Sequence, residues 1–304
     1  ALEYLVESGV DLPFEEIENS IPLEHSTLRG VALAAVQHME ERSENDPAER
    51  AHYLRRLANR LSKAGRRNEA LEAAQEAIVL YRKLVALYPD MYTSDLAMML
   101  DNLGNRLSEV GRREEGLEAV REAVEQYRLL AAKSPETYAS NLASSLNNLA
   151  YLLSGVGYRD EAAKIGEEAV SMYRSLVAKS SSNYLPDMAA SLDNLAIFLS
   201  GAGRQLEALE VVREATGIYR RLEEESPATY ASDLMVSLNN LALRLSGVGC
   251  RREALEASQE AVGLCRGLAK ELPDVYSHLL ASLTDNLAVR LSEMGRLREA
   301  LDVA

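Results

Sequence analysis

Gly65, Gly111, Gly157, Gly203, Gly249 and Gly295 each stand 46 residues apart, with no insertion or deletion between them. The same interval carries Leu57, Leu103, Leu149, Leu195, Leu241 and Leu287, and a serine row from Ser62 to Ser292. Tyr92, Tyr138, Tyr184, Tyr230 and Tyr276 keep step, as do Tyr81, Tyr127, Tyr173 and Tyr219, a row that Cys265 completes. Several residue types locked to one interval are the signature of a repeat array, in which each copy is a supersecondary unit that buries its apolar face only against its neighbours. That periodicity excludes most globular architectures before any single residue is considered.

Each copy reads as two helices. In the third, Leu142, Leu146, Leu149, Ala150 and Leu153 recur at spacings of three and four, which predicts a first helix from about Tyr138 to Val156. Gly157 then ends it, since glycine enters the left-handed conformation without steric cost. A second helix is predicted from about Arg159 to Lys179, with Ala162, Ala169, Tyr173 and Leu176 on its inner face. Pro89, Pro135, Pro227 and Pro273 fall in the connections, where helices are expected to stop, and Ser181 takes that place in the third copy. Small alanines at the positions of Ala162 and Ala169 let neighbouring helices approach closely.

Residues 1–47 do not follow the register, since Asn19 stands where a further glycine would fall. The stretch Leu28 to Glu44 reads as a helix ending before Asp46-Pro47. Two domains are therefore expected: 1–47 as an N-terminal helical cap or a joint to an upstream domain, and 48–304 as an array of six 46-residue units, the last truncated. The chain lacks an initiator Met and stops inside the repeating pattern, which points to a piece of a larger protein.

Composition narrows the partners. A net charge of −14 repels phosphate backbones, so nucleic acid and anionic membrane are excluded as partners. Thr137 to Tyr158 is uncharged and long enough to cross a bilayer, but Asn141, Asn147 and Asn148 make it an amphipathic helix packed in the array. Cys250 and Cys265, placed on one helix, would lie roughly 22 Å apart, beyond disulfide reach. With no signal peptide in view, a reduced, cytoplasmic setting is expected. His25, His38, His52 and His278 are scattered, and neither metal-ligand spacing nor a phosphate loop nor a nucleophile motif is present. No enzymatic activity, cofactor or metal is expected.

Glycine at the helix turn, then Glu-Ala four residues on (Glu69-Ala70, Glu161-Ala162, Glu207-Ala208, Glu253-Ala254, Glu299-Ala300), then a second Ala seven later, resembles the tetratricopeptide repeat. The resemblance spans residues 48–304. The 46-residue period exceeds the usual ~34, and in this it is similar to the extended repeats of kinesin light chains and of large bacterial signalling ATPases. It implies an all-α fold, an α-solenoid of stacked antiparallel helix pairs forming a right-handed superhelix. It also implies a concave groove, lined by the first helices, that takes a peptide or partner helix.

Asn102, Asn148, Asn194, Asn240 and Asn286 hold one position of the first helix, with Arg56 in the first copy. Each precedes the core leucine and so sits about 100° around the helix from it. A carboxamide offers a donor and an acceptor, which matches an extended peptide backbone; it suits a bond to the neighbouring copy equally well. Three residues on stand Asn59, Asn105, Tyr151, Ile197, Leu243 and Val289, polar in the first two copies and apolar in the last four. Tyr151, Ile197, Leu243 and Val289 could form an apolar stripe beside the asparagines, or pack against the adjacent copy. The row Arg55, Asp101, Asn147, Asp193, Asn239 and Asp285, mainly acidic after its first member, favours neutral or basic ligands over acidic ones. In the first copy, Arg55, Arg56 and Arg60 are able to hold an acidic group. The expected function is a non-enzymatic module that binds a peptide or protein segment, the sensor or partner-recruiting part of a larger signalling protein. The alternative is a structural or autoinhibitory spacer that contacts its own chain or a second copy.

Overall fold

The computed structural model describes residues 14–21, 29–43 and 45–303. All regular structure among these residues is helical. The elements are α1 (Phe14–Asn19), α2 (Arg29–Arg42), α3 (Pro47–Lys63), α4 (Arg67–Leu87), α5 (Pro89–Glu109), α6 (Arg113–Lys133) and α7 (Pro135–Val156). They continue as α8 (Arg159–Ser180), α9 (Leu185–Gly201), α10 (Gln205–Glu225), α11 (Pro227–Gly247), α12 (Arg251–Glu271), α13 (Pro273–Glu293) and α14 (Leu297–Val303). They form two compact units, Ala1–Leu152 and Leu153–Ala304. Within each unit consecutive helices pack in pairs, the arrangement of an α-solenoid.

Each pair turns at its periodic glycine. Gly203 has φ +82°, and the other five glycines of the row share that left-handed backbone. The Gly203 N–H donates to the Ser200 carbonyl at 3.0 Å and the Arg204 N–H reaches back to the Leu199 carbonyl at 2.9 Å. These two bonds satisfy carbonyls that the helix end would leave bare. A Cβ on Gly203 would meet no atom within 4 Å, so conformation, not space, requires the glycine.

The prolines differ from expectation. Pro89, Pro135, Pro227 and Pro273 open the first helices instead of marking where helices stop, so α7 begins at Pro135, three residues before Tyr138. The first position of a helix needs no N–H, and the proline ring already has a helical φ. Where the third copy has no such proline, a short 3₁₀ turn over Ser181–Tyr184 intervenes and α9 starts at Leu185.

In unit 1 the core runs through Leu54, Leu57 and Leu61 of α3, Ala70, Ala74 and Tyr81 of α4, and Leu100, Leu103 and Leu107 of α5. Gly104 and Gly116 let α5 and α6 touch: a Cβ on Gly104 would lie 2.2 Å from Val120 Cγ2 and 2.8 Å from the Gly116 carbonyl. In unit 2, Leu192, Leu195 and Leu199 of α9 and Leu238, Leu241 and Leu245 of α11 are buried with Val212, Ala215, Ala254 and Ala261. Each buried leucine contributes about 2 kcal/mol. Gly166 compensates for Phe198, whose ring would lie 2.9 Å from an added Cβ.

Helix α2 buries Ala32, Ala35, Val36 and Met39 and packs on α3, and Arg50 donates to Glu40 at 3.0 Å across that contact. Leu28 and Glu44, the predicted ends of this helix, and His25 lie outside the described residues. Among the described residues no helix is long and apolar enough to cross a membrane, Thr137 to Tyr158 included.

Gly203→Ala is expected to lower the urea-unfolding midpoint, at a cost of about 1 kcal/mol for forcing a Cβ into a positive φ. Gly201→Ala, two residues earlier and helical, should leave the midpoint unchanged or raise it. Equal effects at both sites would show that φ is not what the glycine supplies.

Candidate functional site

The predicted site residues lie on the first helix of each pair. In unit 1, Arg56 on α3 is half-buried and donates to Asn19 Oδ1, with Glu15 at 4.0 Å. Arg60 is buried and donates to the backbone carbonyl of Ile21. The basic face of the first copy thus holds the chain's own Glu15, Asn19 and Ile21. On α5, Asn102 is half-buried. On α7, Asn148 hydrogen-bonds the carboxylate of Asp101 on α5, and the buried Ser145 hydroxyl donates to the same group at 3.0 Å. Tyr151, one turn on, is 62% exposed.

Unit 2 repeats the arrangement. Asn240 on α11 bonds Asp193 on α9, and Ser237 Oγ donates to Asp193 Oδ1 at 3.1 Å. Asn286 Nδ2 on α13 donates to Asn239 Oδ1 at 3.1 Å. Asn194 is exposed. Asn148, Asn240 and Asn286 therefore spend part of their bonding capacity on the residue 47 positions earlier. Ile197 is 42% and Val289 49% exposed, while Leu243 is half-buried. On α9, α11 and α13 the surface face reads Ala190-Asn194-Ile197, Val236-Asn240-Leu243 and Ser282-Asn286-Val289, spacings that align on one side of a helix.

Two acidic residues of the neighbouring row are drawn inward. Burial raises the Asp101 carboxyl to about 6, against the bonds from Ser145 and Asn148 that favour its charge. Burial raises Asp193 to about 7, opposed by Ser237 and Asn240 and reinforced by the charge of Asp233. Behind Ser237, Thr216 Oγ1 lies 3.0 Å from its hydroxyl, and Thr216 itself donates to the Val212 carbonyl. These carboxyls are structural rungs, while Asp285 remains exposed.

Sequence reasoning missed the serines that complete these rungs, and it also missed an arginine row, buried at Arg60, Arg106 and Arg290 and half-buried at Arg244. Arg60, Arg106, Arg244 and Arg290 share one register position, where the third and fourth copies have Leu152 and Phe198. Both were visible as 46-residue rows. Exposed ion pairs tie successive second helices, Arg82 to Glu122 in unit 1 and Arg174 to Glu214 and Arg220 to Glu260 in unit 2, at offsets of 40 residues. Among the described residues no group of three or more His, Cys, Asp or Glu could hold a metal ion.

The folded Asp193 carboxyl keeps its proton to about pH 7, whereas an unfolded one loses it near 3.8. The native state thus binds the extra proton between those values, and stability falls as pH rises through that window and levels off above it. Asp193→Asn, which installs the amide found at Asn147 and Asn239, should raise the thermal midpoint at about pH 8 and change it little at about pH 4. A pH-independent effect would refute the buried-carboxylate account.

Residues 50–86, 142–181 and 188–227 match the tetratricopeptide repeat family, and 221–274 match the model for anaphase-promoting complex subunit 5. No curated protein matches the chain. Among solved structures, the apo form of RapI aligns with a TM-score of 0.64 at 14% identity, covering 90% of this chain and 88% of that one. Kinesin light chain repeats from Podosopora anserina give 0.55 at 20%, covering 74% of this chain and 98% of theirs. A signal transduction ATPase with a tetratricopeptide repeat sensor, PH0952 from Pyrococcus horikoshii, gives 0.59 at 12%, covering 98% of this chain and 44% of that protein. At such identities the likeness is one of fold. Residues 50–86, 142–181 and 188–227 are thus tetratricopeptide repeats, set in helix pairs closed by a periodic glycine, and the solved structures share their α-solenoid fold.

Proposed function

We propose that the chain is a non-enzymatic interaction module that binds a peptide or protein segment along the surface face of its first helices. The observation that carries this reading is the exposure of large apolar side chains at one register position. In unit 2, Ile197 and Val289 are 42% and 49% exposed, and Leu243 is half-buried, on the same helices whose leucines are buried. Apolar surface left in water is favourable to cover, and side chains spaced along successive helices suit an extended or helical segment. Asn194, exposed beside Ile197, offers a donor and an acceptor to a ligand backbone, and Asn102, Asn148, Asn240 and Asn286 line the same register. The chain's net charge of −14 favours segments that are neutral or basic overall. The likeness to a protein with a tetratricopeptide repeat sensor supports a sensor or partner-recruiting role in a larger signalling protein.

A second reading, contact with the chain's own residues, has support in unit 1. There Arg56 and Arg60 already hold Asn19 and Ile21. That contact favours an autoinhibitory or structural role for the first copy, with the exposed apolar positions of later copies left to a separate partner.

The double change Ile197→Ser with Leu243→Ser should lower capture of partners from source-cell lysate by ~10-fold or more, as loss of central apolar contacts does. Circular dichroism should be unchanged, because neither side chain is fully buried. Equal capture by both forms would remove the face from consideration.

A further inference from the structure

The arginine row contains one member unlike the others. Arg60 donates to the Ile21 carbonyl. Arg106 donates to Asn59 Oδ1 at 2.6 Å, and the charge of Glu109 three residues on favours its cation. Arg290 donates to Ser246 and to both oxygens of Glu293, at 2.8 and 2.9 Å, again three residues on. Arg244 has no hydrogen bond or ion pair from its side chain among the described residues, and its Nε is buried without a partner. Nε of Arg106 and Arg290 is also orphaned, but their terminal nitrogens are bonded. Burial alone disfavours the Arg244 cation, with no opposing anion.

The neighbouring junction shows what is absent. Between the last two copies, Ser246 and Arg290 converge on Glu293, which accepts from Ser246 Oγ at 3.2 and 3.0 Å. One copy earlier the same positions are Ser200, Arg244 and Gly247. Ser200 is satisfied there by Gln205, donating to its Oε1 at 3.0 Å and accepting at its carbonyl from Nε2. The guanidinium is left alone. Where Glu293 would have its counterpart there is open space, since a Cβ on Gly247 would meet only Gln205 Oε1, at 3.9 Å. Arg244 lies one turn beyond Asn240, on the edge of the face Val236-Asn240-Leu243.

We propose that Arg244 is a carboxylate-binding subsite. It receives the side chain of one Glu or Asp from a bound segment that is otherwise neutral or basic, in the place that Glu293 fills for Arg290. The subsite rests on the segment-binding reading for its occupant. Its chemistry is that of a planar fork of donors, partly withdrawn from water, that pairs a carboxylate in two parallel bonds. Supplying the anion from outside relieves the cost of a half-buried unpaired cation only while the segment is bound, which makes that one acidic side chain a specificity element.

Two measurements test this. The first follows the side-chain Nε–H resonance of Arg244 in arginine-labelled protein, assigned by its loss in Arg244→Leu, a change that reproduces Leu152 of the third copy. A short capped peptide containing Ile and Glu should shift the resonance saturably, its Gln counterpart should bind ~10-fold more weakly or worse, and Gly247→Glu should abolish the response. Equal response to the Gln peptide, or an equal or stronger one to inorganic phosphate, would overturn the carboxylate assignment. The second compares Gly247→Glu with Gly247→Gln, which share the gain from replacing a helical glycine. The Glu form should melt higher at low salt, and that difference should vanish in the Arg244→Leu background. No difference between them would show that Arg244 lacks nothing. If lysate capture survives the Ile197 and Leu243 changes while the peptide response persists, the apolar face is removed as the binding surface and the subsite stands.

Discussion

The structure depends on a helix ending that is made the same way six times. At each copy a glycine takes a positive φ, its N–H and that of the next residue cap the last turn, and the chain reverses into the second helix. Reversal at that point presents the two apolar faces to each other, so that α9, with Leu195 and Leu199 buried, packs against α10. Without the turn each helix would be an amphipathic segment with nothing to cover it, and the side chains would have no common register from which to build anything further.

Given that register, the contacts between copies divide into three kinds by their position across the array. Leucines and small residues supply most of the stabilisation through burial. On the second helices, Arg–Glu pairs such as Arg174–Glu214 and Arg220–Glu260 are exposed, and each is worth little on its own. On the first helices, polar rungs join Asp101 with Ser145 and Asn148, and Asp193 with Ser237 and Asn240. Those rungs are the expensive kind: a carboxyl taken from water keeps its place only through the donors around it. They specify how one copy meets the next more than they strengthen the meeting.

Much of this was legible in the sequence. A constant interval and a three-four leucine pattern determine helix pairs whatever the surface residues are, and Gly157 and its equivalents end helices where expected. The prolines were misread because proline both breaks a helix interior and opens a helix, and only the hydrogen-bonding of the flanking turn decides between them. The asparagine row was readable as a row, but the partners of Asn148 and Asn240 stand 47 residues away and cannot be paired from one copy alone. Asp101 and Asp193 look like groove charges in sequence; burial beside a serine 44 positions on makes them interior groups. Arg244 differs from Arg290 already in the residue three further on, Gly247 against Glu293, but only three dimensions show that this residue is the arginine's partner.

The offsets of these contacts carry a consequence for how such a chain can change length. Rungs span 44 or 47 residues and exposed pairs 40, so every bond is defined by a difference in position and none by an absolute one. Excising or duplicating one whole unit leaves each surviving junction with its offsets intact. Loss of a single residue inside a helix instead shifts the leucines, the rungs and the ion pairs of one junction together. A chain of this design evolves in steps of a fixed length, and its surface positions are free to diverge while the step itself is held constant.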